Sequence, residues 1–298
     1  MKEKCGREVA FEQILLAEGC GKCSCVGSEG VKITEAGEYA VIEGEGFSYQ
    51  FNLHYGQLEK LGEFLKSPLQ LTVWKAPTDN ERVLRDKWIK EEKYDRTHNK
   101  VYEYAIEGNT ICVKAALASV SKLPFFRYTA EYTFQADGRV DVKLDGNFEQ
   151  SRTFLPRLGF EFKAAEKDFT YFGYGPYESY IDMHHASWMG MYESSAEKEY
   201  VPYIKPQEHG SHYNTKYLSL GGYEFVSEQG FSCNVSEYTG KELTAKAHGF
   251  ELVKDEYTNV RIDYKVSGIG SNSCGPELLD KYKMKDKNVS FAFSIIKK

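Results

Sequence analysis

Residues 125–149 read FFRYTAEYTFQADGRVDVKLDGNFE, two stretches of alternating apolar and polar residues joined by ADGR. The apolar positions on either side of the turn are Tyr128, Ala130, Tyr132, Phe134, Val140, Val142 and Leu144. A period of two residues places such side chains on one face of a strand, and the glycine-containing turn favours a hairpin. The sequence therefore predicts antiparallel strands here.

The same rhythm of short alternating runs and turn residues continues from about residue 36 to the C-terminus. It is present in YAVIEGEGFSYQFNLHYGQLEKL, YEFVSEQGFSCNVSEY, NVRIDYKVSGI and NVSFAFSIIKK. Strands do not alternate with long helical patterns, so a parallel sheet with crossover helices is not expected. The pattern predicts an all-β sandwich.

Two short helices interrupt the strands. In WKAPTDNERVLRDKW, Thr78 and Glu81 have the spacing of a capping box, and Leu84 and Trp88 fall on one face of the helix that follows. Glu81 is therefore interpreted as a capping carboxylate rather than as a catalytic acid. A second helix is predicted to begin at Thr239 in YTGKELTAKAHG.

The first 35 residues differ in character from the rest. REVAFEQILL, residues 7–16, predicts a strand, and the Gly/Ser-rich AEGCGKCSCVGSEG that follows predicts a linker. A single strand does not form a sheet alone, so residues 1–35 are interpreted as the end of a preceding domain plus a linker. The CGKCSC cluster lacks a second pair of ligands at zinc-finger spacing, which favours reduced thiols over a metal site.

The charge balance argues against two classes of partner. The formal net charge of the 298 residues is -6, so neither nucleic acid nor an anionic membrane surface is an expected partner. The first twenty residues lack the apolar segment of a secretory signal, and a cytoplasmic location is expected. Aromatic residues make up 14% of the chain, and Tyr outnumbers Trp by 22 to 3. Such residues suit both strands and sugar-binding surfaces.

Cys274 lies in GIGSNSCGP, a stretch too rich in Gly, Ser and Asn for a regular element. The chain has seven cysteines, an odd and scattered set that argues against a disulfide framework. A reactive thiol needs an electropositive neighbour, and the residues beside Cys274 are neutral while Glu277 and Asp280 follow. A catalytic nucleophile is therefore disfavoured, and a metal ligand, a buried filler or an outward contact stay open.

Residues 171–213 concentrate side chains that can carry chemistry. The segment shows no clean strand alternation after Tyr180, and a long irregular segment in a compact domain is often functional. The acid–base and metal-binding candidates are Glu178, Asp182, Glu193, Glu208, His184, His185, His209 and His212. Nothing in the sequence pairs any two of the carboxylates across a sugar, as glycoside hydrolysis requires.

Several segments, in order, resemble the C-terminal domain of glycoside hydrolase family 2 β-galactosidases, which is also called the small-chain domain. They are LTVWKAPTDNERVLRDKW, PRLGF, YFGYGPYESYIDMHHASWMGMY, YVPYIKPQEHGSHYNTKYL and GIGSNSCGP. The resemblance covers about residues 40–298, and GREVAFEQILLAEG resembles the end of the immunoglobulin-like domain that precedes it. It implies a large antiparallel β super-sandwich like that of galactose mutarotase over residues 36–298.

The resemblance also implies a function. In the whole enzyme a TIM barrel outside this chain carries both catalytic glutamates of a retaining hydrolysis of terminal β-D-galactosides. The chain alone is therefore expected to be inactive, with no catalytic residue and no metal site of its own. The catalytic barrel domain or large chain and the β-galactoside are the expected partners. Mg²⁺ and Na⁺ are expected mainly on the other domains, and the full-length enzyme is expected to be an oligomer.

GIGSNSCGP resembles the loop that the small-chain domain lends to the rim of the active-site pocket. Asn272, Ser273 and Cys274 are therefore the expected substrate contacts. Many family members have Trp where this chain has Cys274, and a thiol gives a small apolar contact without an aromatic platform. Gly268, Gly270 and Gly275 are expected to let the backbone approach the partner domain, and the loop is expected to be exposed or mobile.

Two other functions stay open from the sequence. A stand-alone aldose 1-epimerase would need an acid and a base facing a sugar, for which His209 with Glu208 or Glu178 are the candidates. A non-catalytic carbohydrate-binding module would suit the surplus of tyrosine. Fold alone does not separate these from the β-galactosidase role.

Overall fold

The structure is a computed structural model that describes residues 11–17, 27, 29–270 and 274–298. Strands hold 50% of the described residues and helices 9%, which confirms the all-β class. Every strand pairing within the described residues is antiparallel, as expected where tight turns join successive strands.

The first sheet is a four-stranded meander. Its strands are β1 (Lys32–Ala36), β2 (Tyr39–Gly44), β3 (Phe47–Asn52) and β4 (Gln57–Leu61), and each pairs with the next. Ala40, Ile42, Tyr49 and Phe51 point to one face and are buried in the main core. The pairing begins at Lys32, a few residues before the predicted domain start at residue 36, and the division into two domains stays a prediction.

A second sheet of twelve strands forms the body of the described chain. The strands are β5 (Gln70–Thr72), β6 (Thr97–Glu107), β7 (Thr110–Ser119), β8 (Pro124–Phe134), β9 (Val140–Phe148), β10 (Arg157–Ala164), β11 (Asp168–Gly175), β12 (Trp188–Ser195), β13 (Ser211–Leu220), β14 (Tyr223–Ser236), β15 (Thr258–Val266) and β16 (Asn288–Lys297). Their order along the main path is β12-β11-β13-β14-β16-β9-β8-β7-β6.

The sheet divides at β14, the longest strand. The first part of β14, Tyr223–Val226, pairs with β16, and the second part, Ser232–Ser236, pairs with β15. Gly230 lies between the two parts with φ +81°. β15 also pairs with β10, and β10 pairs with β5. The single strand β14 therefore belongs to two branches of the sandwich.

The hairpin predicted over residues 125–149 is confirmed as β8 and β9. Gln135 N–H donates to Arg139 O across the turn at 2.8 Å, and Gly138 has φ +84°. The inward face is the predicted one: Tyr132 packs edge-on against Phe51 of the small sheet, with ring centroids 4.8 Å apart. This contact joins the two sheets in one apolar core.

Both predicted helices are present. Thr78 and Glu81 form the predicted capping box before a single 3-10 turn, which leads into α1 (Arg82–Asp86) and a π-helical turn over Lys87–Glu92. Trp88 is fully buried. Thr239 caps α2 (Gly240–Ala245) by accepting the Glu242 N–H at 3.0 Å. Neither helix of the described residues has the length and apolar character needed to cross a bilayer.

Two expectations about local structure are corrected. The described part of the strand expected over 7–16 forms no strand. There the side chain of Gln13 bonds the backbone of Met189 through both its amide atoms, at 2.7 and 2.9 Å, and takes the place of a neighbouring strand. The second correction concerns 171–213, where β12 pairs along the whole of β11, so only 176–187 and 196–210 are irregular.

Candidate functional site

Four segments outside the strands meet at one end of the β10–β15 pair, and we call them the rim segments: 75–82, 176–187, 200–210 and residues 267–270 at the base of the 267–276 loop. Hydrogen bonds tie them together in sequence-distant pairs. Asp79 N–H donates to Gln207 Oε1 at 2.9 Å, Glu208 N–H to Ala76 O at 3.1 Å, and Lys75 Nζ to Ser267 O at 3.2 Å. These bonds join 75–82 to 200–210 and to Ser267, and the Gly210 N–H joins 200–210 to Glu178 of 176–187.

Asp182 holds the base of the 267–276 loop. One carboxylate oxygen accepts the Ile269 N–H at 3.1 Å and the other accepts the Gly270 N–H at 2.8 Å. Asn80 Nδ2 donates to Ile269 O at 2.9 Å. The carboxylate and the amide together fix both backbone polar groups of Ile269, which is buried.

The two glycines at the base of this loop leave room for Asp182. A Cβ at Gly268 would lie 2.6 Å from Asp182 Cγ, and a Cβ at Gly270 would lie 2.9 Å from its Oδ2. Nothing lies within 4 Å of a Cβ built on Gly275. The close approach expected toward a partner domain is therefore, for Gly268 and Gly270, an approach to a side chain of the same chain.

The loop passes from buried to exposed beyond the residues that Asp182 binds. Gly268 and Ile269 are buried, whereas Gly270 and Cys274 are exposed. Exposure of the Cys274 thiol agrees with the expected outward contact and excludes its use as a buried filler. Asn272 and Ser273 lie outside the described residues, and the role of all three in binding substrate stays a prediction.

Glu178 is a structural anchor rather than an available acid. Its carboxylate accepts the Gly210 N–H at 3.0 Å and the Tyr180 hydroxyl at 3.3 Å, and it also accepts the Tyr203 hydroxyl. Burial raises the pKa of Tyr180 well above its ordinary value, and the nearby Glu178 and Glu208 raise it further. Both tyrosines therefore act as neutral donors, and Glu178 holds the 200–210 segment through Tyr203 and Gly210.

A buried ionic cluster lies directly beneath the rim segments. Arg157 Nη2 donates to Glu208 Oε1 at 2.5 Å, and Arg157 Nε lies 3.4 Å from Asp263 Oδ1. Lys75 Nζ lies 2.8 Å from Glu81 Oε1 beside them. All five side chains are nearly or fully buried. Charges at such depth are stable only when they are paired.

The two acids bound to Arg157 differ in their pKa. Burial alone would raise the pKa of Glu208, but Arg157, Arg261 and Lys75 outweigh it, and the pKa is lowered. Burial raises the pKa of Asp263 to about 7, because the loss of hydration outweighs the attraction of Arg157, and the nearby Glu208 adds to the rise. Glu208 is therefore the carboxylate that neutralises Arg157, and at 1% exposure it is closed to a substrate.

The histidines of 171–213 do not form a metal centre. His209 is buried, with Nδ1 2.9 Å from Gln207 O, and His212 is buried, with Nε2 3.0 Å from a carboxylate oxygen of Glu199. His184 and His185 stack on each other with centroids 4.7 Å apart. No three His, Cys, Asp or Glu side chains among the described residues converge as metal ligands do.

The remaining candidate site residues from the sequence do not join this site. Glu193 lies exposed on β12, and the CGKCSC cysteines Cys20, Cys23 and Cys25 lie outside the described residues. Burial raises the pKa of the Cys233 thiol to about 12. Within the described residues of the rim segments, the arrangement is a network that positions a loop.

Comparison with known proteins identifies the family. A family described as "Beta galactosidase small chain" matches residues 43–295. The chain belongs to this family. β-Galactosidases from Actinobacillus pleuropneumoniae, 38% identical over 84% of this chain, and Staphylococcus xylosus, 30% identical over 86%, are among its relatives. The aligned parts are 26% and 27% of those two proteins, so the chain spans about a quarter of their length.

The small-chain domain is also similar, more distantly, to solved structures of another kind. A galactose mutarotase related enzyme from Lactobacillus acidophilus aligns with 90% of the chain at 8% identity and a TM-score of 0.41. Galactose 1-epimerase from the same species aligns with 90% at 10% identity and the same TM-score. Similarity at this level carries no information on function.

Sequence reasoning missed the cluster beneath the rim of this small-chain domain. Arg157 lies within PRLGF, and no sequence motif marks it, Lys75 or Asp263 as a functional residue. The available signal was a basic residue inside apolar runs, as in LPRLGF and TVWKAP. Such residues are rarely buried unless they are paired, so each predicted a carboxylate elsewhere in the chain.

Proposed function

We propose that this small-chain domain is the C-terminal part of a β-galactosidase that hydrolyses terminal β-D-galactosides with retention of configuration. Both catalytic carboxylates belong to a larger catalytic region outside the described residues, and the domain contributes the 267–276 loop to the rim of its pocket. Family membership supports this role, as does the share of each relative's length that lies beyond the aligned part.

The single observation that carries the loop assignment is the pair of hydrogen bonds that the Asp182 carboxylate accepts from the Ile269 and Gly270 N–H groups. A loop that only connects β15 to β16 needs no carboxylate fixed beneath it. Here the backbone is held at its base while Cys274 projects to solvent, as a rim contact requires. The thiol supplies a small apolar surface and a weak donor to the substrate.

The epimerase alternative has no supporting observation. Its candidate pair, His209 with Glu208, is 4% and 1% exposed, and Glu208 is neutralised by Arg157. Glu178 is occupied by Gly210 and two tyrosine hydroxyls. Proton transfer at a sugar requires an acid and a base within reach of it.

The test combines gene context with activity. The DNA upstream of the Met1 codon is expected to encode a β/α-barrel region, and a chromogenic β-galactoside is expected to be cleaved only when that region and this chain are both present. The chain alone is expected to release no nitrophenol. Turnover by the purified chain, or an upstream sequence without a glycosidase barrel, would contradict the proposal.

The assignment of Cys274 has a separate test in the same assembly. Cys274→Ser changes the apolar contact to a polar one, and Cys274→Trp adds an aromatic platform. We expect both to change KM for the galactoside more than kcat, because a rim contact binds the ground state and the transition state alike. Unchanged KM in both variants would remove Cys274 from the rim. Cys112→Ser is the control, since Cys112 lies in β7.

A further inference from the structure

The turn at residues 78–81 has more contacts than a helix cap requires. Glu81 Oε2 accepts the Thr78 N–H at 2.9 Å and so forms the capping box, but Glu81 Oε1 lies 2.8 Å from Lys75 Nζ. Lys75 is 0% exposed and Glu81 is 3% exposed. A buried ammonium group costs free energy unless it is paired, so the carboxylate that caps the helix also keeps Lys75 in the interior.

Lys75 extends this ion pair to the base of the 267–276 loop, where its Nζ donates to Ser267 O at 3.2 Å. Ser267 is fully buried, and its N–H donates to Pro156 O at 3.0 Å. Its hydroxyl donates to Leu155 O at 2.7 Å and accepts the Met284 N–H at 2.8 Å. Ser267 follows β15 directly and Met284 lies on the chain that returns to β16, so these bonds close the loop at its neck.

Asn80, in the same turn, holds a second carbonyl group of the loop base. The residue is half-buried, and its Nδ2 donates to Ile269 O at 2.9 Å. An ammonium group and an amide NH₂ only donate, whereas the Asp182 carboxylate only accepts. The segment 75–80 therefore binds carbonyl groups of the base, and Asp182 binds the N–H groups of Ile269 and Gly270.

We propose that Asn80 and Lys75 are positioning residues for binding of the galactoside. By fixing the carbonyl groups of Ile269 and Ser267, they orient the backbone that leads to the exposed Cys274. Both residues act through the loop, since Lys75 is closed to solvent and the Asn80 amide is directed at Ile269 O. This inference rests on the proposed rim role, because a loop without a substrate contact needs no set orientation.

The first experiment follows the loop base in the chain alone, by amide hydrogen exchange at Ile269 and Gly270. Asn80→Ala removes one donor, and we expect exchange at both amides to become about three- to tenfold faster, because local opening then breaks one bond fewer. Asn109→Ala is the matched control, since Asn109 Nδ2 donates to Phe134 O at 2.6 Å from the turn between β6 and β7. It should leave exchange at both loop amides unchanged.

The second experiment measures kinetics in the assembly of this chain with the catalytic region. We expect Asn80→Ala to raise KM for a chromogenic β-galactoside about three- to tenfold and to leave kcat within about twofold, because a misplaced rim weakens ground-state and transition-state binding alike. Lys75→Met alone would leave Glu81 buried without its cation, so Lys75 is tested by combining Lys75→Met with Glu81→Gln. This double variant should raise KM in the same way, and Asn109→Ala should not.

The two measurements separate the possible failures. Unchanged exchange at Ile269 and Gly270 in both Asn80→Ala and the double variant would show that other contacts hold the loop, and would overturn the proposal. A fall in kcat at unchanged KM would also overturn it, because it would assign Asn80 to the chemical step. Faster exchange with unchanged kinetics would keep the anchor but contradict the rim role on which the inference rests.

Discussion

The ionic cluster beneath the rim segments and the apolar core of the β8–β9 hairpin are buried to the same extent. The first is stabilised by pairing of charges, and the second by packing of apolar side chains. Leu144 and Val142 are 0% and 1% exposed and fill space among other apolar side chains. Arg157, Glu208 and Asp263 are 0%, 1% and 0% exposed and are stable only as a set. An apolar side chain contributes by the area it buries, whereas a buried charge contributes by the partner it keeps.

The largest effect is expected from a substitution that breaks the ionic cluster. Arg157→Met leaves Glu208 and Asp263 buried without their cation, and we expect the free energy of unfolding in urea to fall by about 3–5 kcal/mol. Arg127→Met, on an exposed position of β8, is the control and should stay within about 0.5 kcal/mol of the wild type. If the two variants were equally stable, the cluster would not be structural.

Truncation of the apolar core tests the other half of the comparison. Leu144→Ala removes buried methyl groups and leaves a cavity, so we expect a loss of about 2–5 kcal/mol in the same urea experiment. Lys143→Ala, the exposed neighbour, is the control. The loss in Leu144→Ala should be the same at every pH, because no titrating group is involved. A pH-dependent loss would contradict this.

Asp182→Ala acts on the rim without touching the cluster. It removes two hydrogen bonds to a carboxylate, each worth about 1.5–3 kcal/mol. The loss is local, so we expect amide hydrogen exchange at Ile269 and Gly270 to become about 10- to 100-fold faster, with little change in global stability. Glu193→Ala is the control. Unchanged exchange at both amides would show that other contacts hold the loop.

The effect that is smallest at each step of one pH unit is the slope in the dependence of stability on pH. Asp263 has its pKa raised from 3.8 to about 7, so its proton favours the folded state at low pH, and this contribution is lost as the pH rises between those values. Glu208 acts in the opposite sense, because its lowered pKa stabilises the folded state above about 4.5 and the contribution is lost on acidification.

Asp263→Asn should therefore flatten the stability profile between pH 4 and 7, where one proton contributes at most about 1.4 kcal/mol per pH unit. Urea unfolding across that range measures the slope for the variant, the wild type and Leu144→Ala. The Leu144→Ala profile should run parallel to that of the wild type. Equal slopes in all three proteins would show that Asp263 keeps an ordinary pKa.

The proposed site was only partly predictable from the sequence. The hairpin turn at Gly138 and the capping box of Thr78 with Glu81 were predictable, because the residues that form each of them lie close together in the sequence. The loop containing Cys274 was also identified, but through resemblance rather than through its own pattern. Asp182 was noted as an acid, and its role as the anchor of that loop was not foreseen.

The sequence by itself determined the β8–β9 hairpin, its inward face and both helices, because alternation, turns and caps are local. Only the tertiary structure decided that Arg157 meets Glu208, 51 residues away, and that Gly268 makes room for Asp182. Any carboxylate of the chain would have suited Arg157 equally well in the sequence. The choice among them came from which strands of the divided sheet lie side by side, and no short window of residues contains that information.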